Sequence, residues 1–171
     1  MKRALSALCC LLVFVVPALA QKAAPMSDQA FLNTAAQTDM VEVHLGNLAQ
    51  DSASSQAIKD YGRMLASDHT QDYQALQNLA QQASLTVPTA IDAEHNKSLI
   101  APLHGQKGKA FDRTYIQDMV AGHTQALALY KKEAHDATNP AVRSYAQDTI
   151  STLQKHLDAA KAIQQGNAPR M

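Results

Sequence analysis

The stretch Glu133-Ala134-His135-Asp136-Ala137-Thr138-Asn139-Pro140-Ala141-Val142-Arg143-Ser144-Tyr145 decides the fold. Asn139 is a natural N-cap. Pro140 sits at the first helical position, where its missing N–H is not needed and its fixed φ is already helical. A helix therefore starts there, runs from about Pro140 to Gln165 and stops at Gly166. On the other side of the turn, about Lys109 to Ala137, the residues Phe111, Tyr115, Ile116, Met119, Ala126, Leu127 and Tyr130 recur at helical spacing. Two amphipathic helices joined by so short a polar turn pack as an antiparallel hairpin.

Upstream the pattern repeats. One helix is expected from about Ser27 to Asp51, capped by Ser27, and another from about Gln56 to Ala83, capped by Ser55. Helix one begins at Phe31 and carries Met40 and His44; helix three begins at Phe111 and carries Met119 and His123. Helix two opens Ala57-Ile58-Lys59-Asp60-Tyr61, against Ala141-Val142-Arg143-Ser144-Tyr145 on helix four. This is a weak internal repeat of a helical hairpin. Between the hairpins, Ser84 to Gly108 holds Pro88, Pro102, Gly105 and Gly108. A bare loop of that length is unusual in a compact domain. A crossover carrying a short helix within Asp92 to Leu103 accounts for it. The fold class is all-α: an up-down four-helix bundle of two hairpins over residues 27–166, with 21–26 and 167–171 as flexible ends.

The first twenty residues read as a signal peptide. Lys2 and Arg3 make a positive start, Ala4 to Val16 an apolar run, and Pro17-Ala18-Leu19-Ala20 a cleavage site of the Ala-x-Ala kind. The expected destination is the periplasm or the exterior. Cys9 and Cys10 lie inside the apolar run with Leu8 before them, so a lipoprotein reading is rejected. Cleavage after Ala20 removes both cysteines, which leaves no disulfide, thiol nucleophile or thiolate ligand. No later segment suits a membrane span. The chain carries 15 basic and 15 acidic residues, and loss of Lys2 and Arg3 leaves 13 against 15. Without a basic run, nucleic acid has no electrostatic support as a partner. Nothing in the chain names a protein partner or a homo-oligomer.

Three histidines interrupt apolar stripes. His69 lies among Ile58, Tyr61, Leu65, Leu76 and Ala80; His123 lies in the stripe of helix three; His156 lies among Val142, Tyr145, Leu153, Leu157 and Ala160. A buried polar group without a partner costs roughly 1–3 kcal/mol, so each must be hydrogen-bonded, stacked or bound to a metal. On helix one, Phe31, Leu32, Ala35, Ala36, Val43 and Ala49 define the inner face, and Asp39, Glu42 and Gly46 occupy its centre. His44 is on the far side. The candidate constellation is one metal ion held by Glu42 or Asp39 with His69, His123 and His156. Mixed imidazole and carboxylate suits Zn, Fe, Mn or Cu(II). Asp72, Met119 and Tyr115 are candidates for an outer shell or an extra ligand. Counting residues from the turns sets His69 one to two helical turns out of level with Asp39 and Glu42.

Opposing this reading, each histidine could bond a tyrosine, an aspartate or a backbone carbonyl, with no ion bound. Tyr61, Tyr115, Tyr130 and Tyr145 are expected at helix seams with bonded hydroxyls, and Gly62 and Gly122 at close helix contacts. A ferritin-type di-iron site needs a Glu three residues before each of two histidines. Ala66, Val120 and Leu153 stand there instead. There is no Gly-x-Ser-x-Gly, phosphate loop or His-Glu-x-x-His. Asp68 neighbours His69 but points to another face of its helix.

Phe31-Leu32, Ala35-Ala36, Met40-Val41-Glu42-Val43, Leu45-Gly46, Asp68-His69-Thr70, Phe111-Asp112-Arg113-Thr114-Tyr115, Met119-Val120, His123 and His156 together resemble the bacterial domain-of-unknown-function 4142 proteins. The resemblance covers nearly all of the mature chain. It implies an exported, ferritin-like four-helix bundle and supplies no substrate. His44 stands where that pattern carries a second Glu. Three readings remain open: a non-catalytic binding module for a metal or small polar ligand, a metal-dependent redox enzyme, and a structural or partner-docking bundle with internally satisfied histidines.

Overall fold

The structure, a computed structural model, describes residues 25–167. The expected signal peptide, residues 21–24 and residues 168–171 lie outside the described residues. Helix α1 spans Asp28–Ser52 and α2 spans Gln56–Gln82. A short α3, Ala93–His95, runs on into a π-helical turn, Asn96–Ile100. Then come α4, Gly108–Asp136, and α5, Pro140–Gln164. No strand occurs among the described residues, as an all-α four-helix bundle requires.

The caps explain the helix starts and reveal the topology. Ser27 accepts the Ala30 N–H at 3.2 Å, and Asn139 accepts the Ala141 N–H at 2.8 Å. The Ser55 hydroxyl, expected to cap α2, makes no such bond. Asp112 of α4 serves that turn instead, accepting the N–H groups of Ser54 at 2.9 Å and Ser55 at 3.1 Å, and the Ser54 hydroxyl. Asp28 of α1 does the same for the other hairpin, accepting the N–H groups of Thr138 at 2.9 Å and Asn139 at 2.8 Å, and the Thr138 hydroxyl. Each hairpin's turn is thus clamped by the first turn or two of the opposite hairpin's leading helix. The helices therefore run up, down, down and up, with every neighbouring pair antiparallel. The crossover must travel the full length of the bundle. Two glutamines of α1 guide it: Gln29 pairs both ways with the backbone of Thr86, and Gln37 bonds Ala90 O at 3.0 Å and the Asp92 N–H at 3.1 Å.

Packing is uneven. Each hairpin is tight inside, and the two meet along looser seams, α2 on α5 and α1 on α4. In the first hairpin the backbones touch: a Cβ on Gly46 would lie 2.5 Å from the Gly62 carbonyl oxygen, and one on Gly62 would lie 2.7 Å from the Gly46 oxygen. Gly122 departs from expectation, since a Cβ there meets nothing within 4 Å. One apolar cluster, around Leu45, Leu65, Phe111 and Met119, fills the end holding the α1–α2 turn. A second, around Phe31, Leu76, Leu127 and Leu157, fills the opposite end. The buried residues Asp39, Glu42, His69, His123 and His156 lie between them.

These two glycines make opposite predictions. Gly62→Ala gains roughly 1 kcal/mol of helix propensity but drives a methyl into backbone, and overpacking costs about 1–3 kcal/mol. Gly122→Ala takes the same propensity gain without a clash. Thermal melting should show Gly62→Ala below the parent and Gly122→Ala about 2–4 °C above it.

Candidate metal centre

Helices α2, α4 and α5 each project one histidine into the layer between the apolar clusters. One ring nitrogen from each of His69, His123 and His156 lies within 4.8 Å of one from each of the others. Ring centroids are 5.3 to 6.0 Å apart. All three side chains are buried, at 2 to 4% exposure.

Each ring has one nitrogen fixed and one left over. His69 Nδ1 is 2.9 Å from Asp39 Oδ1. His123 Nδ1 donates to the Met119 carbonyl one turn back, at 2.9 Å. His156 Nε2 is 2.9 Å from Asp68 Oδ2. The Met119 carbonyl and the Asp68 carboxylate are acceptors, so in His123 and His156 the nitrogen they hold carries the proton and, in the neutral ring, the other carries the lone pair. The nitrogens left over, His69 Nε2, His123 Nε2 and His156 Nδ1, have no partner in the protein. Metal-binding histidines commonly hand their second N–H to a carboxylate or carbonyl in this way, which fixes tautomer and orientation.

Electrostatics separates the three. Burial pushes His123 down to about 4, with His69 adding to the effect and the Met119 carbonyl opposing it. Burial likewise takes His156 to about 4, against the Asp68 hydrogen bond. Burial also opposes a charge on His69, but the Asp39 hydrogen bond and the charges of Glu42, Asp39 and Asp72 lift it above its ordinary value. Burial raises Asp39, against the pull of His69. Burial raises Glu42 too, with His69 and His156 pulling it back. At neutral pH His123 and His156 are therefore neutral imidazoles with lone pairs free to bind.

The other expected residues fall in three places. Asp39 holds His69 from outside rather than joining the nitrogen trio. For Asp39 the expected mismatch is absent: Asp39 stands 13 residues before Ser52, and His69 stands 13 after Gln56. Glu42 lies outside the trio as well, but near enough for His69 and His156 to act on it, with Oε2 unpartnered. Asp72 accepts the Tyr145 hydroxyl at 2.7 Å, and Tyr145 reaches Tyr130 at 3.3 Å. Met119 contributes its carbonyl, and its side chain packs in the core. Tyr115 stacks on Phe111 with its hydroxyl unpartnered, contrary to expectation, whereas Tyr61 donates to the His156 carbonyl at 3.2 Å. Asp68, which sequence spacing does not single out, turns away from His69. That same direction carries it across the seam to His156.

Two clefts reach the layer. One of about 800 Å³ opens between α2 and α5, lined by Asp39, Asp68, His69, Asp72, Asp148 and His156. The other, about 590 Å³, opens between α1 and α4, where Val41, Leu45, Leu99 and Leu129 form apolar walls above Glu42, His69 and His123.

The family model for the domain of unknown function DUF4142 matches residues 15–163. The chain belongs to the DUF4142 family. No curated protein matches this DUF4142 chain in sequence. Among solved structures, CopM in its Cu(II)-bound form is similar at a TM-score of 0.66 and 19% identity, over 82% of this chain and 97% of that one. Apo CopM gives 0.63 and 18% over 82% and 97%. A DUF305 protein from Streptomyces coelicolor gives 0.62 and 14% over 86% and 99%. At these identities the likeness is one of fold. No helix among the described residues of this DUF4142 bundle is long and apolar enough to cross a membrane.

The buried carboxyl and the buried imidazole should respond to pH with opposite signs. The folded value of Glu42 lies above its unfolded one, so its burial becomes more costly as pH rises past the unfolded value. Glu42→Gln should therefore gain on the parent near pH 8 and little near pH 4. The folded value of His123, about 4, lies below the ordinary 6.5. Its contribution is present above pH 6.5 and lost on acidification towards 4, so His123→Phe should gain on the parent across that window. Melting curves of metal-free protein, compared pairwise at each pH, test both signs.

Proposed function

We propose that the mature chain is an exported metal-binding protein that holds one transition-metal ion on His69, His123 and His156. The observation that carries this reading is the trio of buried ring nitrogens without partners, each backed by an acceptor on the opposite side of its ring. Neutral imidazoles suit Cu, Zn, Fe and Ni, whereas Mn favours carboxylate oxygen. Three protein ligands leave an open position for water or another donor. Glu42 supplies counter-charge, because a buried cation needs a neighbouring anion. Copper is the favoured ion. It heads the divalent affinity order, and the fold is shared with CopM, solved in Cu(II)-, Cu(I)- and Ag-bound forms.

Export rests on the leader read from Lys2 to Ala20, and a site without thiolates suits an oxidising compartment. The rival reading, a structural bundle in which each histidine bonds a tyrosine, an aspartate or a backbone carbonyl, is met at one nitrogen of each ring and has the other three nitrogens against it. A redox role gains no support from a single nitrogen trio without Glu-x-x-His pairs.

Melting the mature protein with and without Cu(II), Zn(II), Fe(II) and Mn(II) tests the proposal. At an ion concentration of about 100 times Kd, binding to the folded state alone adds about 2.7 kcal/mol, or roughly 5–10 °C in Tm. Cu(II) and Zn(II) should give such a shift, and His123→Ala should abolish it. If no ion moves the melt, or if the variant responds like the parent, the proposal fails.

A further inference from the structure

The nitrogen trio has two openings, and they differ in chemistry. In the α2–α5 cleft the side chains of Asp39, Asp68, Asp72 and Asp148 line one cavity of about 800 Å³, and His69 and His156 stand at its inner end. No lysine or arginine lines it. Three atoms of its lining residues are buried without a partner: His69 Nε2, His156 Nδ1 and Asp39 Oδ2. Their residues are 1 to 4% exposed. The acidic rim thus leads to buried ligand atoms of the kind a cation needs. The α1–α4 cleft also reaches His69 and His123, but its walls are largely apolar, and outside the layer Asp118 is its one carboxylate.

From this we infer that the α2–α5 cleft is the entrance for the metal cation, with Asp148, Asp72 and Asp68 drawing the ion inward to His156 and His69. The inference rests on the proposed metal site and adds its route. Clefts lined by one sign of charge, with low-dielectric walls, focus the field and raise the local concentration of the opposite ion. Asp148 is the outermost member. It is exposed, and its one side-chain bond comes from the Ser144 hydroxyl of the preceding turn at 3.3 Å. Asp68 has a second task, since it also fixes the ring of His156. The ion therefore passes the carboxylate that orients its ligand.

Association kinetics test the route. Tyr130 and Tyr145 line the same cleft, so Cu(II) arriving there should quench tyrosine fluorescence, which stopped-flow mixing can follow. Asp148→Lys reverses one charge at the mouth without touching the trio. Its association rate at low ionic strength should fall roughly five- to tenfold, and the loss should shrink as salt is added. Affinity, measured by competition with a chelator, should change much less than the rate. Thr152→Trp, which narrows the same cleft from α5, should also slow binding. Asp118→Lys, at the other opening, should leave the rate unchanged. Circular dichroism checks that each variant is folded. Equal rates in all variants would overturn the entrance while leaving the metal site standing. Slowing by Asp118→Lys but not Asp148→Lys would assign the entrance to the other cleft. A parent chain that binds no Cu(II) would overturn both site and route.

Discussion

A buried imidazole has two nitrogens, and a stable fold must account for both. In this bundle the outer nitrogens are accounted for by the helices themselves. Asp39 on α1 holds His69 on α2, and Asp68 on α2 holds His156 on α5. His123 is held by a carbonyl of its own helix. The first bond links the helices of one hairpin, and the second crosses the seam between hairpins. The polar layer therefore does structural work wherever its outer bonds are made. Its inner nitrogens are what remain for chemistry.

The loose seams are a condition of that arrangement. Within the first hairpin, Gly46 and Gly62 bring the two backbones into contact. Between hairpins the described helices pack more loosely, and the turns are clamped at the two ends by Asp112 and Asp28. End clamps hold the hairpins in register without closing the middle. The middle is where both clefts reach the histidines. Long-range hydrogen bonds at the ends and small residues inside one hairpin together place an accessible polar layer in a thin core.

Much of this was legible in the sequence, and the rest was hidden for identifiable reasons. Helical periodicity exposed the stripes, and a histidine inside a stripe is visible without a structure. Asn139-Pro140 marked the second hairpin because capping is local. Asp112 and Asp28 escaped notice because they serve turns about 58 and 110 residues away, and no local pattern reports such a bond. Gln29 and Gln37 were similarly silent. Asp68 lies on a different face of α2 from His69, and sequence spacing on one helix does not report that this face meets His156 of α5. Ser55 looked like a cap on its own, but its turn was already supplied by Asp112. Gly62 and Gly122 look identical in sequence, and only the position of the neighbouring helix separates them.

The energetic balance of the layer bears on its purpose. Of seven buried side-chain polar atoms without a protein partner among the described residues, five belong to the layer: Asp39 Oδ2, Glu42 Oε2, His69 Nε2, His123 Nε2 and His156 Nδ1. At about 1–3 kcal/mol each, they would cost about 5–15 kcal/mol if nothing met them. That equals the whole stability of an ordinary domain. Leucines at the same five positions would remove the cost, and the flanking stripes show that such side chains fit this bundle. A layer retained at that cost must be met by something polar, either water or an ion. Water can serve isolated groups, each needing two to four polar partners per molecule. One ring nitrogen from each of three histidines within 4.8 Å of the others is the kind of donor set the proposed cation would use. The raised values of Glu42 and Asp39 fit the same balance. Without a cation these carboxyls avoid charge; beside one, their ionised forms become the favourable ones.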